Sequence, residues 1–274
     1  MRRAVRSRNA RFQQWQALLA NRTKRHRAGE FIVQGVRPIT LAVENGWTVR
    51  ALLHAATGAP SRWAAQILER VDAEHVAMPA DLLGELGEKA DAPPELVAVV
   101  EMRPDRLDRI AASSRLLAVV FDRPTSPGNV GTLVRSVDAF GADGLVVTGH
   151  AADVYDPKAV RASTGSLFAV PVVRADSPTD VIAWAHDGGA RIVGTDESGA
   201  VDIDGHDFTG PTLLVVGSET TGMSVAWREA CDAIVRIPIG GSASSLNAAS
   251  AATVVLYEAG RQRRAAHADG GVSR

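Results

Sequence analysis

The chain has 274 residues, a formal net charge of −1 and a single cysteine, Cys231. One cysteine excludes an internal disulfide and a cysteine-rich metal centre. The longest apolar runs, such as Leu116–Phe121 and Leu213–Val216, are strand-length and far short of the ~18–20 residues a membrane span needs. Arg-rich residues 1–11 lead into no apolar signal segment, so the expected setting is cytoplasmic, with no membrane partner.

The charge is uneven. Residues 1–30 hold nine arginines and lysines against Glu30 alone, a net of +8, so the remaining residues carry −9. A basic arm on an acidic body suggests a polyanionic partner; the plainer reading is a solvated terminus with no ligand.

In chain order, a polar helix near Arg11–Leu19 leads to a basic loop, Asn21–Gly29. Strand-like Glu30–Gln34 is followed by a helix over Val36–Glu44. Strands near Val49–Ala55, His75–Met78 and Leu96–Met102 alternate with helices near Trp63–Val71 and Asp81–Leu86. This is a small α/β pattern, closed by a charged connector, Arg103–Arg115. A second block offers strands at Leu116–Phe121, Gly144–Thr148, Pro171–Val173, Arg191–Gly194, Leu213–Val216 and Ile234–Ile237. Helices are expected near Val130–Phe140, Pro157–Ser163, Pro178–His186, Val225–Cys231 and Leu246–Arg264. Strand-then-helix repetition predicts a mainly parallel sheet with helices on both faces. Ligands of such sheets sit beyond the carboxyl ends of the strands.

Three strand-ending loops stand out. In Asp122–Arg135, Gly128 and Gly131 allow close backbone approach, and Asn129 is a candidate helix cap. Arg135, about 1.7 helical turns further on, has the planar fork suited to a phosphate; a solvated arginine is the bland alternative. No G-x-G-x-x-G follows the strand and the lysine of a P-loop is missing. In Val215–Ser224, Glu219 follows an apolar run between Gly217 and Gly222. It needs a partner if buried, or else caps the next helix. In Ile237–Ser250, small residues join a strand to the last helix, with Ser244 or Ser245 as candidate caps and a helix N-terminus suited to a polar cofactor.

Taken together and in this order, Asn129–Arg135, Val216–Gly222, Ile237-Pro-Ile and Ser245-Leu-Asn247 resemble the three motifs of the SpoU (TrmH) family in the SPOUT class of RNA methyltransferases. The first block, through Phe31–Arg37 and the basic loop, looks like the ribosomal-protein-like (L30e-like) domain that often precedes that catalytic domain, although Gln34 stands where many members have an acidic residue. Residues 121–128 and 149–166 look most like antibiotic-resistance members that modify 23S rRNA.

The resemblance implies an α/β chain with a basic arm and helix over 1–27, an RNA substrate-binding domain over 28–104, a knotted parallel-sheet methyltransferase domain over 115–264 and a disordered tail over 265–274. It implies methyl transfer from S-adenosylmethionine to a ribose 2′-hydroxyl of RNA, most simply 23S rRNA, by a homodimer without a metal. The alternatives are a tRNA 2′-O-methyltransferase or a non-catalytic RNA-binding or ribosome-assembly protein of the same fold. The implied catalytic residues are Arg135, Asn129, Glu219, Ser245 and Asn247, with Thr195, Gly217, Ile237 and Leu246 at the cofactor. Arg22, Lys24, Arg25 and Arg37 in the first block, and Arg161 in the second, are the candidate RNA contacts. An arginine stays protonated, so Arg135 is expected to hold phosphate and negative charge; Glu219, Ser245, water or an RNA phosphate are left as proton acceptors.

Overall fold

The structure is a computed structural model describing residues 2–88 and 92–270. It separates into two compact units, residues 1–103 with 155–169, and residues 104–154 with 170–274.

The first unit contains β1 (Arg2–Ala4), α1 (Ala10–Ala20), α2 (Arg22–Ala28), β2 (Glu30–Gln34), α3 (Val36–Glu44), β3 (Val49–Ala55), α4 (Arg62–Arg70), β4 (Glu74–Met78), α5 (Ala80–Leu86) and β5 (Leu96–Glu101). Its mixed sheet runs β1-β4-β3-β5-β2, with β5 antiparallel to both β2 and β3. On one face Phe12, Trp15 and Leu18 of α1 and Leu82, Leu83 and Leu86 of α5 bury against Ile32, Leu53, Val76 and Val99.

Residues 1–27 are therefore not a separate arm. β1 pairs in register with β4, and α1, capped by Asn9, supplies core side chains. Arg8 pairs with Glu85, and Arg3 and Arg11 pair with Glu74, which neutralises part of the terminal charge. The expected basic loop is mostly helix: Asn21 caps α2 through the Lys24 amide, and Gly29, left-handed at φ 66°, ends it.

The second unit holds a 3-10 turn (Leu107–Arg109), β6 (Leu117–Asp122), α6 (Pro127–Ala139) and β7 (Gly144–Thr148). Two helices, α7 (Pro157–Ala162) and α8 (Ser166–Ala169), follow in sequence but fall in the first unit. There Phe168 and Tyr155 pack on Phe31 with ring centroids 6.2 and 4.6 Å apart, and Trp47 Nε1 donates to the Phe168 carbonyl at 3.0 Å. The chain continues through β8 (Val172–Ala175), α9 (Pro178–Asp187), β9 (Arg191–Thr195), β10 (Val201–Asp202), β11 (Thr212–Val216), α10 (Val225–Ala230), β12 (Ala233–Arg236) and α11 (Ala248–Gly270). Residues 265–270, expected as disordered tail, continue α11; 271–274 lie outside the described residues.

The seven-stranded sheet, β10-β12-β9-β11-β6-β7-β8, is parallel throughout. Both faces are covered, as parallel sheets require. Ala118, Val120, Ile192, Leu213 and Val215 pack with Val181 and Ala185 of α9 and Trp227 of α10. Residues of opposite parity, Leu117, Val119, Phe121 and Leu214, are also buried, on the other face, where α6 touches β6 and β7 and packs along α11. A parallel sheet places all its strand C-termini along one edge. There the loops after β6, β9, β11 and β12 meet.

Candidate functional site

A cavity of about 640 Å³ opens at that edge, within the usual range for small-molecule sites. Thr195, Gly217, Ile237 and Leu246, the four residues expected at the cofactor, all line it, as do Glu219, Ser245 and Asn247. Asp196, Glu197 and Arg228 also line it and carried no expectation.

Gly217 is required by geometry. A Cβ placed there would lie 2.2 Å from the Gly222 carbonyl carbon and from the Met223 nitrogen. The loop returns against itself, closed by paired backbone hydrogen bonds between Ser218 and Gly222 at 3.0 and 3.1 Å. The close approach is thus to the loop's own backbone, which forms the cavity wall. Gly222, at φ 63°, occupies the left-handed region that glycine enters without penalty.

Three of the expected catalytic side chains form one network. Asn129 Nδ2 donates to Glu219 Oε1 at 2.7 Å, while Thr125 donates through its amide and its hydroxyl to Oε2, each at 3.2 Å. Asn129 Oδ1 accepts from Asn247 Nδ2 at 3.2 Å. Asn247 Oδ1 in turn accepts from the Ala249 and Ser250 amides at 3.0 and 3.2 Å. Burial pushes the Glu219 carboxyl up, but the donors from Asn129 and Thr125 outweigh it and hold it below its ordinary value. Glu219 is therefore a carboxylate acting as an acceptor hub.

The capping expectations change accordingly. Ser126, not Asn129, caps α6, accepting from the Asn129 amide with Pro127 in the first turn. Asn247, rather than Ser244 or Ser245, caps α11, because its side chain reaches two orphan amides. Glu219 caps no helix.

Arg135 is exposed on α6 and is not a lining residue of the cavity. Its side chain makes no hydrogen bond or ion pair among the described residues, which leaves the guanidinium available.

The expected RNA contacts divide. Lys24 and Arg37 are exposed and Arg22 is partly buried. Arg25 is only 2% exposed. It donates to the Leu18 and Leu19 carbonyls at 2.8 and 3.1 Å and pairs with Asp156 at 3.4 Å. Its charge is spent inside the first unit, so it cannot serve as a phosphate contact. Arg161 belongs to the first unit rather than the second, where it pairs with Glu88. Gln34 gives its amide to the Leu86 carbonyl at 3.0 Å.

Two residues beside the cavity loop were not singled out. Asp122, 1% exposed, accepts from Thr148 Oγ1 at 3.0 Å and from the Ser224 amide at 2.8 Å. Arg123 donates to Asp122 and to the Gly222 carbonyl. The signal was present: an acidic residue directly after an apolar strand needs partners, the reasoning that picked out Glu219.

The lining fits S-adenosylmethionine in chemistry. Val216, Ile237, Leu246 and Ala251 offer apolar contact, and the carboxylates of Asp196, Glu197 and Glu219 outnumber Arg228, which suits a cationic ligand. Burial raises the Asp196 carboxyl, but Ser198 and the paired Arg228 bring it below its ordinary value. Among the described residues no group of three or more His, Cys, Asp or Glu side chains is placed to hold a metal ion.

Comparisons with known proteins point the same way. The family described as SpoU rRNA Methylase matches residues 116–257, and the SpoU L30e-like domain matches residues 9–98. The chain is 61% identical over 266 residues to a 23S rRNA (uridine(2479)-2′-O)-methyltransferase of Streptomyces viridochromogenes, covering 95% of this chain and 93% of that one. It is similar to the crystal structure of the SpoU methyltransferase AviRb from that organism in complex with AdoMet, with a TM-score of 0.89 and 61% identity over 94% of this chain and 99% of that one. An AdoMet-bound rRNA methyltransferase from Sinorhizobium meliloti aligns with a TM-score of 0.87 at 29% identity, covering 95% of this chain and 98% of the other.

Proposed function

The chain belongs to the SpoU rRNA methylase family, and from that premise we propose that it transfers a methyl group from S-adenosylmethionine to a ribose 2′-hydroxyl of 23S rRNA. The observation that carries this reading is the joining of three segments beside one cavity: Asn129 in the first turn of α6 is linked by hydrogen bonds to Glu219 after β11 and Asn247 before α11, both of which line the cavity. The 61% identity over nearly the whole chain supports 23S rRNA over tRNA. Resistance to a ribosome-targeting antibiotic is the biological role we infer, and the cytoplasm, where ribosomes are found, is the setting it requires.

S-adenosylmethionine, when bound, supplies a methyl group already activated by the positive charge on sulfur. The chain must hold the ribose hydroxyl in place, an effect that can reach about 7–11 kcal/mol, and help remove its proton. We assign Arg135 to the substrate phosphate and to negative charge growing on the attacking oxygen, since a guanidinium does not give up its proton near neutral pH. Glu219, already accepting three hydrogen bonds and held acidic, is a weak base; its role is to orient Asn129. The proton leaves to bulk water, with the Ser245 hydroxyl as a relay that gives up its own proton as it takes one, or with an RNA phosphate as the carrier. No metal is required in this scheme. Lys24, Arg27 and Arg37, all exposed, serve the RNA backbone.

We also infer that the chain acts as a homodimer and that the region from β12 to α11 is knotted, as the family resemblance implies. Tyr257 and Val254, 52% and 37% exposed on α11, with Tyr257 edge-on to Phe140 after α6, give the dimer a surface to bury. That Arg135 of one subunit serves a site shared with its partner is likewise inferred from the family resemblance.

The test is methyl incorporation from labelled S-adenosylmethionine into 23S rRNA. Arg135→Ala should keep cofactor affinity within about twofold by calorimetry and lose roughly 100-fold or more in turnover, as for removal of a charge-stabilising donor. Arg135→Lys should recover little, because a point charge does not reproduce the fork. Near-normal turnover of Arg135→Ala would remove the assigned role, and incorporation into tRNA alone would redirect the substrate.

A further inference from the structure

Arg123 is an odd residue for its place. Its backbone is left-handed at φ 51°, a region that costs any residue with a Cβ. Glycine or asparagine would sit there more easily. Its side chain explains the choice. The stem crosses Gly149 so closely that a Cβ on that glycine would come within 2.8 Å of Arg123 Cγ. The Arg123 amide donates to the Thr148 carbonyl at 3.0 Å, Nε donates to Asp122 Oδ2 at 3.2 Å, and Nη2 donates to the Gly222 carbonyl at 3.1 Å.

The Gly222 carbonyl belongs to the peptide pressed against Gly217 at the cavity wall. That carbonyl takes two donors, and the next peptide along is held by a third contact. Ser218 donates its amide to the same carbonyl, using the second acceptor position. Asp122, buried and fixed by Thr148, takes the Ser224 amide at 2.8 Å. Arg123 bridges the two. None of these groups belongs to the Asn129–Glu219–Asn247 network, and neither Asp122 nor Arg123 lines the cavity.

We propose that Asp122 and Arg123 are positioning residues for the transfer reaction, clamping the loop from Gly217 to Ser224 in the shape that admits the cofactor. The proposal rests on S-adenosylmethionine being the molecule that enters the cavity. The strained backbone at 123 is retained because only there does a guanidinium reach both the buried carboxylate and the loop carbonyl.

The full-length chain is compared as wild type, Arg123→Gly and Arg123→Lys, measuring the Kd for S-adenosylmethionine by calorimetry, KM for cofactor and for rRNA, Tm, and amide hydrogen exchange. Arg123→Gly relieves the left-handed backbone but takes the cation from buried Asp122, which keeps Thr148 and the Ser224 amide, so Tm should fall by no more than a few degrees. Its Kd and KM for the cofactor should rise roughly tenfold or more, the usual worth of a hydrogen bond from a charged group. KM for RNA should stay within twofold, and amides 218–224 should exchange faster. Arg123→Lys, which can reach one partner at a time, should fall between the two and serves as the reading if the glycine variant does not fold. Cofactor affinity within twofold of wild type in the folded variants overturns the proposal. A rise in KM for RNA alone overturns it in favour of a phosphate contact. A wild-type chain that neither binds S-adenosylmethionine nor transfers methyl overturns the functional reading and this proposal with it. Binding and transfer by wild type with no effect of the variants overturns this proposal alone.

Discussion

Both units cover a sheet on two faces, yet they prepare for a ligand in opposite ways. In the second unit the parallel strands end together, and their loops meet through backbone: the Gly217 contact, the left-handed Gly222 and a chain of side-chain amides and carboxylates that satisfy one another. In the first unit the sheet is mixed, its buried charge is satisfied internally by Arg25 and Asp156, and what faces outward on α2 and α3 is exposed Lys24, Arg27 and Arg37. A site built from backbone approach can be ruined by one carbon atom. A surface built from solvated charge loses function gradually, one phosphate at a time.

The strongest test of this contrast is Gly217→Ala. The added Cβ has no room against the Gly222–Met223 peptide, and backbone cannot swing aside as a flexible side chain can. S-adenosylmethionine binding should fall about 100-fold or more in calorimetry, with no change in RNA affinity by filter binding. Binding within threefold of wild type would show that the loop opens freely and would break the contrast.

A smaller effect is expected from the triple variant Lys24→Ala, Arg27→Ala, Arg37→Ala. Each lost phosphate contact should remove about 0.7–0.9 from the slope of log affinity against log salt, so the three together should flatten it by about 2–3. Cofactor affinity should not move. An unchanged slope would take these residues out of the interface and leave the charge of the first unit to solubility.

The difference between the units also governs how far the sequence can be read. The second unit was legible because parallel strands buried on both faces read as continuous apolar runs, and because the loops at their ends are dense in glycine and polar residues; β7 is found at Gly144–Thr148, its expected span. Two-residue β10 was missed, being too short to show a period. In the first unit β2 and α3 match their expected spans. The terminal basic segment misled: charge in sequence reads as a solvated arm, whereas Arg3, Arg8, Arg11 and Arg25 each find a carboxylate distant in the chain. The return of residues 155–169 to the first unit has no periodic signal, because what places it there is the packing of Tyr155 and Phe168 on Phe31. Tertiary pairing also explains the caps: Asn247 and Ser244 have similar local propensity, and the contact to Asn129 distinguishes them only in three dimensions.

The smallest effect sharpens the contrast from the stability side, at Glu258 on α11. Arg261 donates two hydrogen bonds to its carboxylate at 2.8 and 2.7 Å, and Gln262 adds a third at 2.9 Å. Gln262 also bonds to the His206 carbonyl and the Phe208 amide, both at 2.9 Å, and Arg263 donates to the carbonyls of Phe208 and Leu116. The second half of α11 is thereby tied to residues 206–210 of the second unit. The Arg261 hydrogen bonds, against opposing burial, bring the Glu258 carboxyl from an ordinary value of 4.5 to about 2. A carboxyl more acidic in the folded state stabilises above its unfolded pKa and loses that contribution as pH falls from about 4.5 toward 2. Glu258 is buried but Arg261 is half exposed, and screening at the guanidinium limits the contribution to the order of 1 kcal/mol. Glu258→Gln should therefore lower Tm by a few degrees at pH 7, with the gap to wild type narrowing as pH falls below 4.5. His206, whose ring is held below its ordinary value by burial, weakens both proteins alike on acidification and cancels in the difference. A Tm gap that stays constant down to pH near 2 would assign the effect to lost packing rather than to charge.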